Sequence, residues 1–406
     1  MFRHPASISI EHGYVEIDIP NNRVVHTTNN KIIDDILNTD FFKNGCGKYW
    51  INTKKIGDNK YEAEYINHII RYPEFTPEQF LESLYFLHDV CVYCRDNGYF
   101  IRTHLWNVVY YRGRPLIIDI RDFEHLYHQN WINIFRNHFK KRDELDGHCP
   151  VDVNLFISNY DEVLRAWDKC SNALGCILEV LDVIKLVERK KEVWSNYHHD
   201  RTNFLYNNNN LLENIKNYGG GSGDNRKSKN LLDEINIINP KTVIEVGCNN
   251  GLYCFGTSLL NNNISVLGVD YDLEAINTAN NINKKLNLIC IFIRVDLLDL
   301  DKLNVKYGLN GSYGSLLDRS RSELLIAPSI IHHLFNASKS LDKIIDIFDK
   351  LASKNMIIEH IDGYYGGVND LIYVLNKYKW NIDKMISSSP EPRLYLICSK
   401  KKDLLL

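Results

Sequence analysis

One stretch constrains the fold more than any other: Val243–Gly251, VIEVGCNNG. The β-branched run KTVIEV follows Pro240, stops at Gly-Cys-Asn-Asn-Gly and gives way to the helix-patterned LYCFGTSLL. That order predicts strand, tight turn, helix. Gly247 and Gly251 are expected to let the backbone approach a ligand at the carboxyl end of the first strand, where an open α/β sheet holds its ligands. A second apolar strand, SVLGVDYD, ends at Asp270, about 20 residues after the turn, where Rossmann-type sites keep an acid for ribose hydroxyls.

Such a bend can serve a dinucleotide or S-adenosylmethionine, and its details separate the two. A dinucleotide turn reads G-x-G-x-x-G with a helix start facing the pyrophosphate. Here the pattern is E-x-G-C-N-N-G, with no G-x-G. The acid two residues before the first glycine, Glu245, suits a cationic sulfonium and repels a pyrophosphate. S-adenosylmethionine is therefore the expected cofactor, held by Glu245, Gly247, Cys248, Asn249, Asn250 and Gly251, with Asp270 and Tyr271 at the end of the second strand.

From Leu231 onward strands alternate with helical stretches: TVIEV, SVLGV, ICIFIRV, ELLIAP and NMIIEH, then the helical NDLIYVLNKY and a terminal strand RLYLICS. This alternation predicts an α/β, doubly wound, mostly parallel sheet with its ligand at the strands' carboxyl ends. Asp296-Leu297 closes the third strand, where the acid can accept from an adenine amino group or merely cap a helix. Ala327 closes the fourth, and the loop after it ends in His332-His333. An imidazole there would lie beside the sulfonium methyl and can take a proton from a hydroxyl or amine as the methyl moves. Glu359, at the end of the fifth strand, is expected to orient that imidazole or bind substrate, with His360 a weaker candidate.

The amino-terminal half reads differently. Residues 1–60 alternate apolar and polar positions, predicting short strands and hairpins around a helix near Asn29–Asn38. Thr76-Pro-Glu-Gln opens an amphipathic helix that Asn97-Gly98 ends. The next segment, GYFIRTHLWNVVYYRGRPLIIDIRDFEHL, predicts a ribbon that turns at Arg112-Gly113 and brings Asn107 and Asp119 to one end. This resembles the catalytic loop and metal-binding Asp of kinase-like phosphotransferases, in which an Asp five residues before the Asn is the base. The base position here is Arg102, and no glycine-rich phosphate loop precedes it, so a kinase-like scaffold without phosphotransfer chemistry is expected.

Other features read as ordinary structure. Cys91-x-x-Cys94 lies in a helical pattern with no second pair, and His125, His128 and His198-His199-Asp200 match no familiar zinc spacing, so no metal is expected. The ERKKE run at Glu188–Glu192 reads as a solvated helix face. Asn207–Asn210 and the Gly- and Asn-rich segment before Asn230 lack a preceding strand and a G-K-[ST] ending, so they read as a linker that could order as a lid.

At 406 residues the chain is long enough for two domains. The expected division is 1–150, an α+β degenerate kinase-like domain; 151–216, a helical connector; 217–230, the linker; and 231–406, the Rossmann-like domain. A formal charge of -3 with 24% charged residues gives no electrostatic case for wrapping nucleic acid or lying on an anionic membrane. The absence of a long apolar run and of a signal-peptide core leads to the expectation of an intracellular, cytoplasmic protein.

With these motifs in view, VIEVGCNNG, VLGVDYD, RVDL and LIAPSIIHHL resemble the class I S-adenosylmethionine-dependent methyltransferases. More narrowly, YPEFTPEQFL, RGRPLIIDIRDFE, GSLLDRS, IHHL and MIIEHI in one chain resemble the NoeA-like, nodulation-type methyltransferases. The resemblance implies that Gly247, Asn249, Gly251, Asp270 and Asp296 hold the cofactor and that His332-His333 mark the reaction side. Arg102, where the family carries an acid, and the linker composition depart from its pattern. The expected function is methyl transfer to an oxygen of a sugar or other small molecule with a histidine base. The alternatives are a cofactor-sensing scaffold with a pseudokinase-like recruitment half and a residual phosphotransferase.

Overall fold

The computed structural model describes residues 2–3, 14–18, 21, 23–66, 68–70, 74–101, 107–121, 123–125, 210–219, 224–304, 306, 315–389 and 392–401. Arg102, His128, Glu188–Glu192, His198-His199-Asp200 and nearly all of the expected connector lie outside the described residues, as do Gly220–Gly223 of the expected linker. The chain divides into two compact units, the first running to Lys190 and the second starting at Lys191.

In the first unit an antiparallel sheet has the order β1-β2-β3-β5-β4, made of Phe2–Arg3, Tyr14–Asp18, Arg23–Thr27, Lys60–Glu64 (β5) and Thr53–Gly57 (β4). Two short helices, α1 (Ile32–Leu37) and α2 (Asp40–Gly45), sit between β3 and β4 in the chain. The long helix α3 (Pro77–Asp96) starts as its sequence dictates: the Thr76 hydroxyl accepts from the Gln79 backbone N–H at 3.2 Å, and the Gln79 side chain accepts from the Thr76 N–H at 2.9 Å, a reciprocal capping box. The described residues of the unit also form two ribbons, β6 (Tyr99–Ile101) with β9 (Phe123–His125), and β7 (Val108–Tyr111) with β8 (Arg114–Ile117). Arg112 and Gly113 both take positive φ, 53° and 67°, the twist that a two-residue hairpin turn requires. Buried aromatic rings of Phe41, Phe42, Trp50 and Phe123 fill the space between these elements.

Among the described residues the second unit begins with α4 (Leu211–Lys216) and α5 (Arg226–Ile238), so residues 226–230 of the expected linker form the first turns of a helix. Asn239 ends that helix in the left-handed conformation and Pro240 follows, a common stop signal. The sheet runs β12-β11-β10-β13-β14-β16-β15. Its strands are β10 (Thr242–Val246), β11 (Ser265–Asp270), β12 (Ile291–Arg294), β13 (Ser322–Ala327), β14 (Ala352–Ile361), β15 (Trp380–Ser387) and β16 (Arg393–Lys400). The first five are mutually parallel; β16 pairs antiparallel with β14, and β15 antiparallel with β16. Helices α6 (Leu252–Leu260), α7 (Leu273–Leu286), α8 (Leu300–Leu303), α9 (Leu316–Ser320), α10 (Ile331–Ser338), α11 (Leu341–Leu351) and α12 (Val368–Lys377) separate the strands.

Strand alternation divides the core. Val243, Val266, Phe292, Leu324 and Ile357 point to one face and pack with Ile215 of α4, Leu232 and Ile235 of α5, Phe255 of α6 and Ile276 of α7. Helix α11 packs on β13 and β14, burying Ile344, Ile345 and Phe348. With helices on both faces, parallel strands become apolar throughout, which is why VIEV and ELLIA read as continuous runs. The fold is thus the expected doubly wound sheet. Strand β15 is the element the sequence pattern does not announce: WNIDKMIS lies at the sheet edge and most of it faces solvent, so no apolar run marks it. Since β10 pairs with both β11 and β13, the chain reverses its strand order at β10, and the crevice at that switch point is where such sheets bind ligands.

Candidate active site

The bend after β10 is built by two left-handed glycines and a chain of backbone bonds. Gly247 and Gly251 have φ of 71° and 86°, and Asn249, between them, 47°. Both Gly247 and Cys248 donate their N–H to the Val269 carbonyl, at 2.8 and 3.1 Å. Asn249 donates its N–H to Asp270 Oδ2 at 2.8 Å, and Asn250 to Asn249 Oδ1 at 2.9 Å. Gly251 donates to the Cys248 carbonyl at 2.9 Å. All five N–H groups of the bend are therefore spent inside the protein. A pyrophosphate cradle needs such donors pointing at the ligand, and this bend does not supply them.

The glycines serve packing as well as backbone conformation. A Cβ on Gly247 would lie 2.6 Å from Ile330 Cδ1, and one on Gly251 would lie 2.7 Å from Phe292 Cζ. The position a side chain would take on each is filled by another residue, so only glycine fits there. Cys248 is likewise buried, with its sulfur against Gly268, so its thiol faces the core.

Glu245 is corrected in its charge. It is 1% exposed and accepts from the Cys254 thiol at 2.9 Å. Burial pushes its carboxyl up to about 8, so at neutral pH the group is mostly protonated and does not present the fixed negative charge expected of it.

Along the rim, Asp270 ends β11 with its two oxygens accepting from the Asn249 and Asp272 N–H groups, the latter at 3.0 Å. Burial raises its carboxyl above the ordinary aspartate range. Tyr271 is half exposed, and its carbonyl accepts from Arg294 Nε at 2.8 Å. Asp296 is exposed and one of its oxygens accepts from the Leu298 N–H at 2.9 Å, while Leu297 is buried. Ala327 is fully buried in β13 beside Ile358.

The turn after β13 carries the reactive-looking groups. His332 lies in the first turn of α10, half-buried, with the exposed His333 ring 4.0 Å away and the Tyr364 ring at 4.9 Å. Burial, then the neighbouring His333 and Arg393, push His332 down to about 4; burial also lowers His333. Of the two roles expected of Glu359, orienting an imidazole or binding substrate, a direct bond to either histidine is not made. Its Oε2 accepts from the Ser329 N–H at 2.7 Å and hydroxyl at 2.9 Å, and its Oε1 accepts from the Ser388 hydroxyl at 2.7 Å. Lys227 Nζ stands 3.2 Å from Oε2. Burial works to raise the Glu359 carboxyl, but Lys227 and the serine hydroxyls outweigh it and hold it below the ordinary range. His360 turns elsewhere, toward Tyr365 at 3.1 Å and Asp362 at 3.7 Å.

Residues 239–390 match the family model of a methyltransferase domain. This segment is a methyltransferase domain. Its cofactor is S-adenosylmethionine. The donor-poor bend and the acids Asp270 and Asp296 on adjacent strand ends fit a ligand offering hydroxyls, an amine and a cation. The chain is similar to a magnesium protoporphyrin IX methyltransferase from Synechocystis PCC 6803 solved with bound S-adenosylmethionine, at 13% identity over 51% of this chain and 93% of that one, with a TM-score of 0.37. It is similar to a TehB-like methyltransferase from Corynebacterium glutamicum at 15% identity, 42% and 86% coverage and a TM-score of 0.31. Similarity to the bifunctional kinase-methyltransferase WbdD is 16% over 45% of this chain and 39% of that one, with a TM-score of 0.31. No curated protein matches the chain.

Sequence reasoning missed several groups that the second unit brings together. Lys227 falls in the expected linker, yet its Nζ reaches Ser329 Oγ at 2.5 Å. Ser388, at the β15–β16 turn, reaches Glu359, and Arg393 Nη1 lies 3.5 Å from Ser329 Oγ. The sole signal was composition, a cluster of Lys and Arg at 226–229 just before the sheet.

In the first unit the ribbon does bring its ends together: Ile118 donates to the Asn107 carbonyl at 3.0 Å, with Asp119 next in the chain. Asp119 is gripped by Arg121, whose Nε lies 2.9 and 3.1 Å from its two oxygens and whose Nη2 lies at 2.5 Å. Burial opposes ionisation there, yet Arg121 wins and holds the carboxyl down to about 2. His26 Nδ1 approaches Asp119 at 4.0 Å, and burial keeps that imidazole neutral, down to about 4.

Proposed function

We propose that the second unit transfers a methyl group from S-adenosylmethionine to a hydroxyl of a small molecule or sugar, with His332 removing the hydroxyl proton. The cofactor supplies an electrophilic methyl on a cationic sulfur. Asp270 would take the ribose hydroxyls, Asp296 the adenine amine, and the bend from Gly247 to Gly251 the methionine side of the ligand. The observation that carries the reading is the shared rim: the Asn249–Asp270 link and the His332 turn stand at the carboxyl ends of β10, β11 and β13, on both sides of the switch point.

His332 is the better base of the pair. A base must be unprotonated to act, and the half-buried ring, down to about 4, is neutral through the physiological range. Its low basicity is compensated if the acceptor's proton leaves late, as the oxygen loses charge to the incoming methyl. Most of the rate would come from in-line placement of the acceptor.

The narrower NoeA-like assignment rests on the motif set from YPEFTPEQFL to MIIEHI. The first unit reads as a kinase-like scaffold without phosphotransfer, supported by Arg121 occupying the carboxylate that a metal would need.

Titration calorimetry with S-adenosylmethionine and with its demethylated product tests the cofactor assignment; absence of heat at millimolar ligand rejects it. Incubating the protein with methyl-labelled S-adenosylmethionine and a small-molecule extract, then searching by mass spectrometry, tests the acceptor class. Label appearing only on protein or nucleic acid would reject a small-molecule hydroxyl.

A further inference from the structure

The turn Ala327-Pro328-Ser329-Ile330 is held by more bonds than a surface turn requires. Ser329 is not glycine, yet its φ is 54°, a conformation that L residues keep only when their surroundings over-determine it. Those surroundings come from three other elements. Glu359 at the end of β14 takes both the N–H and the hydroxyl of Ser329 on one oxygen. Ser388, where β15 turns into β16, occupies the other oxygen. Lys227, in the first turn of α5, lies against both the Ser329 hydroxyl and the Glu359 carboxylate. The Glu359 side chain is 0% exposed and that of Lys227 24%, so the pair is a buried carboxylate closed by a partly accessible cation. Lys227 is itself fixed at its backbone, where its carbonyl accepts from the Tyr395 hydroxyl at 3.3 Å. His332 begins three residues beyond Ser329, and the His333 N–H already bonds to the Ile330 carbonyl at 3.0 Å, so the ring's place follows directly from the turn.

We infer that Lys227 is a positioning residue for methyl transfer: with Glu359 and Ser329 it locks the strained turn that aims His332 at the reaction end of the sheet. The inference rests on the methyltransferase reading of His332 and adds a residue from outside the sheet to that site. An unfavourable backbone conformation held in place by several neighbours is the pattern of a preorganised site, in which catalytic geometry is held before substrate arrives. The charges facing His332 come from every side of the turn: His333 on its own helix, Arg393 on β16, Glu359 on β14 and Lys227 on α5. Of these, Glu359 raises the imidazole's proton affinity and Lys227 lowers it, so the lock also sets the electrostatics of the ring it places.

The test compares Lys227→Met, Glu359→Gln and Ser329→Gly with the wild type in the full-length protein. Ser329→Gly removes the hydroxyl while making the left-handed turn easy, so it separates loss of the lock from loss of stability. Expected are unchanged S-adenosylmethionine affinity by calorimetry, a melting temperature for Ser329→Gly no lower than wild type, and label transfer into the extract product slowed about a hundredfold in kcat. The second arm needs no acceptor: histidine NMR titration follows the His332 ring, whose pKa should rise in Lys227→Met and fall in Glu359→Gln. A His332 resonance that titrates identically in wild type, Lys227→Met and Glu359→Gln overturns the inference, as does full transfer by Ser329→Gly. Failure of the wild type to bind S-adenosylmethionine would instead reject the methyltransferase reading, while the NMR arm would still decide whether the lock acts on His332.

Discussion

Asp270 accepts the backbone N–H of Asn249 at 2.8 Å, so the end of the second strand holds the bend that follows the first. The carboxylate thus has two tasks, fixing the bend and meeting ribose hydroxyls. Asp270→Asn keeps the shape but turns an acceptor into an amide that can face a donor with a donor. S-adenosylmethionine affinity should fall by about 1.5–3 kcal/mol, the range for hydrogen bonds to charged groups, read by calorimetry. An affinity within twofold of wild type would remove Asp270 from the cofactor site.

Gly247→Ala should destabilise the second unit by about 1–3 kcal/mol, because it combines a left-handed backbone with a Cβ in overpacked contact. The clash is with Ile330 Cδ1 at 2.6 Å. Adding Ile330→Ala should recover the steric part and leave the cost of positive φ. Chemical denaturation of the two variants separates these contributions.

Glu245 makes stability depend on pH. Its carboxyl is raised by burial from an ordinary 4.5 to about 8, so the folded state holds a proton that the unfolded chain releases. The stabilisation is complete below about 4.5 and is lost as pH rises through about 8. Asp270 is raised too and acts with the same sign, so the comparison needed is wild type against Glu245→Gln. Urea melts between pH 5 and 9 should show a shallower decline for the variant. A cationic ligand nearby would favour the ionised carboxyl, so S-adenosylmethionine binding should release a proton, seen as a calorimetric heat that changes with buffer.

His332→Ala should lower label transfer by about 10²–10⁴, the usual contribution of a positioned general base, with His333→Ala having the smaller effect. Since the His332 ring is pushed down to about 4, activity should hold level on the acid side until pH approaches that value. An acid limb near 6.5 would point to an unperturbed histidine instead.

Asp119→Ala should destabilise the first unit by about 3–5 kcal/mol, the cost of stranding a buried partner of an ion pair. The Asp119 and Arg121 side chains are 14% and 12% exposed. Calorimetric unfolding should show the change. Magnesium and ATP should leave the wild-type transition where it is, because Arg121 already engages the carboxylate bidentately.

The chain's local order was readable because it is written in adjacent residues. VIEVGCNNG followed by LYCFGTSLL declares strand, bend and helix, SVLGVD declares the next strand, and Arg112-Gly113 declares its turn, each through periodicity and backbone preference over a few positions. The same reading located the rim, since the ends of β10, β11, β13 and β14 are where the apolar runs stop. Tertiary structure alone decided what those ends do. Lys227 and Ser329 stand 102 residues apart in the chain and meet only after α5 packs on the sheet. Glu245 looks like a charge in the sequence and becomes a mostly neutral acid once burial removes its water. Glu359 looks like a partner for histidine and is claimed by two serines and a lysine. Composition and spacing carry no record of desolvation or of contacts between distant segments, and those two quantities set the chemistry of this rim.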